Sequence, residues 1–127
     1  MDNALDLDTL TGKTVTQAFA LHDLEFGWLL QVLFQVEQVW LQIAVNEDTD
    51  EIILSVVPEL DFGALEQQYS LTQISNQRKE ISQLWRMTNQ QGYEDGFQVE
   101  FDDMDGTCVQ LLAEASQLRL AIFQRYR

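Results

Sequence analysis

The sequence predicts a mainly β protein, with α+β as the alternative class. Three observations favour strands. Apolar residues recur at every second position in several segments, β-branched residues are concentrated in the same segments, and two Asp-Gly pairs mark hairpin turns. A chain of 127 residues with 46% hydrophobic residues can bury one core without disulfides. We therefore predict a single domain over residues 1–127, an antiparallel meander sheet or a partly open barrel with a short helical cover.

The clearest strand signals lie before residue 58. Apolar side chains alternate with glutamines over residues 28–36, and a second alternating segment covers residues 39–46. The short connection at residues 37–38 predicts a tight hairpin between them. Residues 51–57, EIILSVV, form a further β-branched segment. This strand should end at Pro58, because proline cannot donate a ladder hydrogen bond.

The middle of the chain shows no sustained alternation. We predict residues 58–80 to be a helix/loop insertion between two antiparallel strand groups, with a short helix or compact loop over residues 59–69. This segment is suited to cover one face of the sheet.

The second strand group is predicted from its turns. Asp95-Gly96 lies between apolar segments and predicts a hairpin turn, because glycine adopts positive φ without a Cβ clash. Asp105-Gly106 predicts another turn, so the strands should form a meander. Residues 107–126 are ambiguous. Their composition favours a helix, but alternation predicts two strands joined near residues 114–116, which we prefer.

Charge limits the partners that the protein can bind. The formal net charge is −14, and residues 1–66 hold most of the acidic side chains against a single base, Lys13. Nucleic acids and anionic membranes are bound through Lys and Arg, so we expect neither as a partner. A basic protein would complement this charge, and a homodimer is also compatible with the sequence.

Location is predicted from what the sequence lacks. The acidic start, residues 1–8, has neither the basic nor the apolar region of a signal peptide, and the most apolar run is too short to span a bilayer. The single cysteine, Cys108, cannot form an internal disulfide. We therefore expect a cytoplasmic protein.

The order of three segments resembles a known family. The segments are LTGKTV near the start, the acidic DTDEI, and LWRMTNQQGYEDGF before a strand-rich end. Together they resemble an uncharacterised family of short bacterial proteins of unknown function. This resemblance covers most of the chain and implies a compact β-rich domain, but no catalytic residue.

The residues that could carry chemistry are few. A Cys–His nucleophile pair would have to be built from Cys108 and His22, but Cys108 lies in apolar alternation, where cysteine behaves as a small hydrophobe. The acidic turns at residues 47–51 and 102–105 lack the ligand spacing of a calcium loop, and zinc ligands are too few. Phosphate-loop and nucleophile-elbow motifs are absent. We predict no enzyme, no metal and no cofactor.

The remaining candidates are suited to an interface. They are Glu47, Asp48, Asp50, Glu51, Trp85 and Tyr93. The four acids concentrate charge in one turn, and rigid aromatic side chains bury a large area at low entropic cost. Trp40 and Trp85 fall on strand faces with polar neighbours, whereas Trp28 belongs to a more apolar row.

These observations favour a non-enzymatic protein-interaction module of the immunity or inhibitor type, which meets a basic partner through its acidic half. The alternative is a small-ligand binding protein with an aromatic-lined pocket between sheet and cover. An enzyme ranks third, because no motif supports it.

Overall fold

Nine strands and one α-helix lie in the part of the chain that the structure describes. The structure is a computed structural model, and it describes residues 7–126. A 3-10 turn at Leu7–Leu10 comes first. The strands are β1 (Thr14–Asp23), β2 (Leu29–Val36), β3 (Val39–Asn46), β4 (Glu51–Val57), β5 (Tyr69–Ser75), β6 (Lys79–Thr88), β7 (Glu94–Phe101), β8 (Thr107–Glu114) and β9 (Gln117–Gln124), and helix α1 (Phe62–Gln68) precedes β5.

All nine strands belong to one open antiparallel sheet with the order β4-β3-β2-β1-β6-β7-β8-β9, and β5 also pairs with β1. β1 pairs with β2 along one edge, and β5 and β6 share its other edge. Residues 18–23 of β1 pair with β5, whereas only Thr14 and Val15 pair with β6. Because so few residues join β1 to β6, the sheet divides there. We call β1–β5 the first half and β6–β9 the second half.

The two halves face each other across a shared core. β4 lies against β7 and β8, and β9 lies against β2 and β3. Alternation sends one side of each strand inward, so Val32 and Phe34 of the first half join Val99 and Leu111 of the second in one buried cluster. Burial of these apolar side chains is the main force that holds the halves together.

Helix α1 covers the outer face of the first half. The helix begins after Asp61, whose Oδ1 accepts a hydrogen bond from the Ala64 backbone N–H at 3.1 Å. Its apolar residues pack with Leu21, Leu33 and Trp40 in a second cluster. The predicted helical cover is therefore present.

Several sequence predictions are confirmed. The structure is mainly β and has the predicted meander. The hairpin between β2 and β3 turns at residues 37–38, with Glu37 at φ 56°. Residues 107–126 contain the two strands β8 and β9, joined at Ala115 and Ser116, which both have positive φ.

The predicted turn at Asp95-Gly96 is wrong. Both residues lie inside β7, and Gly96 pairs with Met87 on one side and Leu112 on the other. The β6–β7 turn is built instead by Asn89, whose Oδ1 accepts hydrogen bonds from the backbone N–H groups of Gln91 and Tyr93 at 2.9 and 3.2 Å. This Asx turn ends the strand earlier than the Asp-Gly pair would. Asp105-Gly106 does form the predicted β7–β8 turn, with Gly106 at φ 62°.

The segment 58–80 holds more structure than the predicted helix/loop insertion. Residues 69–75 form β5, which pairs with β1 from Asp23 down to Ala18. This strand is half-exposed and rich in polar residues, so its alternation is weak. Pairing with β1, rather than a local pattern, makes it a strand.

Candidate functional site

The acidic turn lies between β3 and β4. Asn46 Oδ1 accepts a hydrogen bond from the Asp48 backbone N–H at 3.0 Å, and Asp50 adopts φ 55° to complete the turn. The side chains of Glu47 and Asp48 are exposed, whereas Asp50 and Glu51 are partly buried. The four predicted acids therefore divide into two pairs with different surroundings.

The partly buried pair fixes the turn to the second half of the sheet. Asp50 Oδ1 accepts a hydrogen bond from the Ser116 backbone N–H at 2.7 Å, and Ser116 Oγ donates to the Glu47 carbonyl oxygen at 2.9 Å. Glu51 Oε2 accepts a hydrogen bond from the Glu94 backbone N–H at 3.3 Å. These contacts bring the β3–β4 turn beside the β8–β9 turn and the start of β7.

The two predicted aromatic residues lie in different places. Tyr93 is exposed in the β6–β7 turn, next to Glu94, and so belongs to the same end of the molecule as the acidic turn. Trp85 lies on the outer face of β6, where the Arg125 guanidinium carbon is 5.7 Å from its ring centroid. The structure therefore brings Tyr93 to the acids and places Trp85 elsewhere.

An aromatic pair that we did not predict lies in the β1–β2 loop. Phe26 is 63% exposed and Trp28 is 38% exposed, and their rings stack with centroids 5.2 Å apart. The loop is shaped by Asp23, whose Oδ1 accepts hydrogen bonds from the backbone N–H groups of Glu25 and Phe26. Gly27 follows at φ 73°. An Asp four residues before a Gly is a turn signal that could have identified this loop from the sequence.

The aromatic loop and the acidic turn lie at the same end of the sheet. β2 is antiparallel to β3, with Gln31 opposite Ala44, so β2 begins where β3 ends. The loop at residues 24–28 therefore projects beside the turn at residues 47–50. We call this region, with the turns at residues 89–93 and 115–116, the acidic end.

The neighbours of Trp28 and Trp40 in the sequence do not indicate how exposed these two side chains are in the structure. Trp40 is buried against Phe62 of α1, with ring centroids 5.3 Å apart, whereas Trp28 precedes β2 and is exposed. Trp40 is buried although its neighbours on the strand are polar, because α1 covers that face and excludes water from it.

A second polar cluster lies on the outer face of the second half. Glu100 is 3% exposed, forms an ion pair with Arg125, and accepts a hydrogen bond from the Tyr126 hydroxyl at 3.1 Å. That hydrogen bond is the main reason that the pKa of Tyr126 is raised above its usual value. Cys108 is buried beside Glu100, and burial followed by the Glu100 charge raises the pKa of its thiol. A buried thiol with a raised pKa is a poor nucleophile.

The other candidate chemical groups remain apart. His22 lies near the end of β1, whereas Cys108 is on β8, where its thiol lies 3.5 Å from the Gly106 carbonyl oxygen. Within residues 7–126, no group of three or more His, Cys, Asp or Glu side chains is placed to hold a metal ion. In the β7–β8 turn, Asp103 instead accepts hydrogen bonds from the backbone N–H groups of Asp105 and Thr107.

Comparison with known proteins gives the family. The model of the Family of unknown function (DUF6334) matches residues 1–127. The chain belongs to this family. The resemblance to a family of unknown function is thereby confirmed, and the family description assigns no activity. No curated protein and no solved structure matches the chain.

Across the part of the chain that the structure describes, no helix combines the length and apolar character needed to cross a lipid bilayer.

Proposed function

We propose that the protein is a non-enzymatic interaction module that binds a basic protein partner at its acidic end, as an inhibitor or immunity protein does. The observation that carries this proposal is the exposed, stacked pair of Phe26 and Trp28 beside the acidic turn at residues 47–50. Its lone cysteine is consistent with a cytoplasmic location, which we include in the proposal.

The aromatic pair has the properties of a binding anchor. Large exposed aromatic side chains bury substantial area when a partner covers them, and such residues supply most of the binding energy at many interfaces. The Asp23 hydrogen bonds and the ring stacking hold the pair in place before binding. Less conformational entropy is therefore lost on association.

The surrounding charge selects the partner. Glu47 and Asp48 are exposed next to this anchor, and Glu25 lies within the loop itself. Lys and Arg side chains would pair with these carboxylates, and a cation can also lie over the Trp28 or Phe26 ring. Asp50 and Glu51 contribute to the negative field, but their hydrogen bonds to the second half show that they also stabilise the fold.

The experiment separates the contribution of the aromatic pair to binding from the contribution of the acidic side chains. One variant replaces Phe26 and Trp28 with Ser, and a second carries Glu47→Gln and Asp48→Asn. The control carries Glu59→Gln and Glu80→Gln, which remove the same charge from exposed positions outside the acidic end. Photo-crosslinking from position 26 identifies the partner in cells, and binding is then measured with the purified partner over a range of salt concentrations.

We expect the aromatic variant to lose binding and the charge variant to associate more slowly at low salt, because the field of the acidic end steers the encounter. The control variant should bind like the unmodified protein. An acidic partner, or a partner that binds the aromatic variant with unchanged affinity, would contradict the proposal.

A further inference from the structure

A cavity of about 300 Å³ lies between the two halves of the sheet, away from the acidic end. Phe34 of β2 and Phe101 of β7 line it from opposite halves, together with Val109 of β8. Ile74 of β5 lines it near the mouth. The walls are therefore mainly apolar and come from both halves.

The cavity exists because of how β1 is paired. Residues 18–23 pair with β5, but the chain then leaves this edge through the β5–β6 turn and returns as β6, which meets β1 only at Thr14 and Val15. The strands separate between these two contacts. Val15 and Ala18 line the resulting space from β1, and their small side chains leave part of it unfilled.

The mouth carries polar groups and one charge. Asn76, Gln77 and Thr107 lie at the rim, and Lys79 is the single charged residue among those that line the cavity. The Lys79 ammonium donates a hydrogen bond to Asp103 Oδ2 at 3.0 Å. An ammonium has three donors, so this contact uses one of them.

Asp103 holds the Lys79 ammonium in position. The Asp103 carboxylate accepts two backbone hydrogen bonds from its own turn, at 3.1 Å from Asp105 and 2.9 Å from Thr107. Burial opposes ionisation, but the hydrogen bonds from Thr107 and the Lys79 contact outweigh it and hold the pKa of Asp103 well below its usual value. The ion pair is therefore a fixed feature of the mouth at neutral pH.

We propose that this cavity binds a small amphipathic carboxylate, whose apolar body lies between Phe34 and Phe101 and whose head group accepts hydrogen bonds from Lys79. At about 30 Å³ for each non-hydrogen atom, the cavity holds about ten such atoms, which is the size of octanoate. This site is separate from the acidic end, so the proposal of a bound carboxylate does not depend on the proposed protein partner.

The test compares two probes that differ at the head group. Octanoate carries the carboxylate, and 1-octanol has the same alkyl length without the charge. Binding is measured by isothermal titration calorimetry, and the affected residues are mapped by NMR. We expect octanoate to bind about tenfold more tightly than 1-octanol, because a charge-assisted hydrogen bond is stronger than a neutral one.

Five variants locate the head group. Lys79→Gln should abolish the preference for octanoate and Lys79→Arg should retain it, while Arg119→Gln, which also breaks an ion pair with a carboxylate, should change nothing. Ile122→Asp adds a negative charge at the exposed rim of the cavity and should weaken the binding of octanoate about tenfold. Ile53→Asp makes the same change on the exposed face of β4, away from the cavity, and serves as its control.

The Ile122 and Ile53 positions are exposed, so these variants keep the test valid even if Lys79→Gln fails to fold. The proposal is overturned if neither probe binds, if both bind equally, or if the octanoate preference survives in folded Lys79→Gln. Unchanged octanoate binding in Ile122→Asp would also overturn it.

Discussion

Gly96 offers the sharpest test of how the second half is packed. It is the third residue of β7, where a Cβ atom would stand 2.8 Å from Met87 Cε, 2.9 Å from Met87 Cβ and 3.1 Å from Leu112 Cδ2. Contacts under 3 Å require the neighbours to move. Overpacking of this kind costs about 1–3 kcal/mol, so we expect Gly96→Ala to lower the free energy of unfolding by that amount.

A double-substitution cycle with Met87 identifies the cause. Met87→Ala removes the Cε contact and leaves the Cβ contact, so the two substitutions together should recover about 1 kcal/mol of the loss, within the range of coupling energies between residues in contact. Gly92→Ala is the control. Gly92 has φ 90° and no atom within 4 Å of the added Cβ, so its cost of about 1 kcal/mol comes from the backbone and should not depend on Met87.

The assay is urea unfolding followed by tryptophan fluorescence and circular dichroism, with the midpoint and slope determined for each variant. Gly96→Ala with unchanged stability would refute the close packing of β6, β7 and β8 around this residue. A loss that does not couple to Met87 would show that strain in the β7 backbone, rather than side-chain contact, makes glycine necessary.

Three further outcomes are expected. Asp50→Ala should cost about 1–3 kcal/mol in urea unfolding, because the partly buried Ser116 N–H loses its charged acceptor, and an unchanged midpoint would contradict this. The raised pKa of Tyr126 means that its stabilising bond to Glu100 is fully present below about pH 10 and is lost as pH rises through the folded-state pKa. Tyr126→Phe should therefore flatten the alkaline limb of the stability profile, measured as the urea midpoint against pH. Cys108 should react with a thiol reagent only after unfolding, since it is buried and its pKa is raised, so rapid labelling of the native protein would be inconsistent with the fold.

Local patterns predicted the strands well, because the inward and outward faces of a strand alternate with a period of two residues. This period identified β2 and β3, and it correctly favoured two strands over a helix for residues 107–126, whereas β4 was identified by its β-branched residues. The hairpin at residues 37–38 followed from the spacing between alternating segments. These features depend on interactions between residues close in sequence.

Two of the errors arose where distant parts of the chain decide the outcome, and a third arose at a turn. Trp40 is buried because α1 packs over it, and residues 69–75 are a strand because β1 supplies the partner. At the β6–β7 turn, the hydrogen bonds of the Asn89 side chain place the turn before the Asp-Gly pair. In the first two cases a contact with a distant segment overrides the local preference, whereas at the turn one local hydrogen-bonding preference outweighs another.

The candidate site was predicted in part. The acidic turn was found by its composition, and Tyr93 lies at the same end, but Trp85 does not. The Phe26–Trp28 pair was missed because Trp28 was assigned to the strand predicted over residues 28–36. The cavity could not be inferred from sequence, because its walls come from both halves and its space depends on how β1 changes partners.

The pairing of β1 also has a consequence for the order of folding. Among the strands described here, consecutive neighbours pair throughout β1–β4 and throughout β6–β9, and only the β5 and β6 contacts with β1 join strands distant in the chain. Hairpins of nearby strands form quickly, whereas pairing across a long loop is slow. Each four-stranded run can therefore assemble early, and docking of β6 onto Thr14 and Val15 becomes the slow step that brings the two runs together and completes the core.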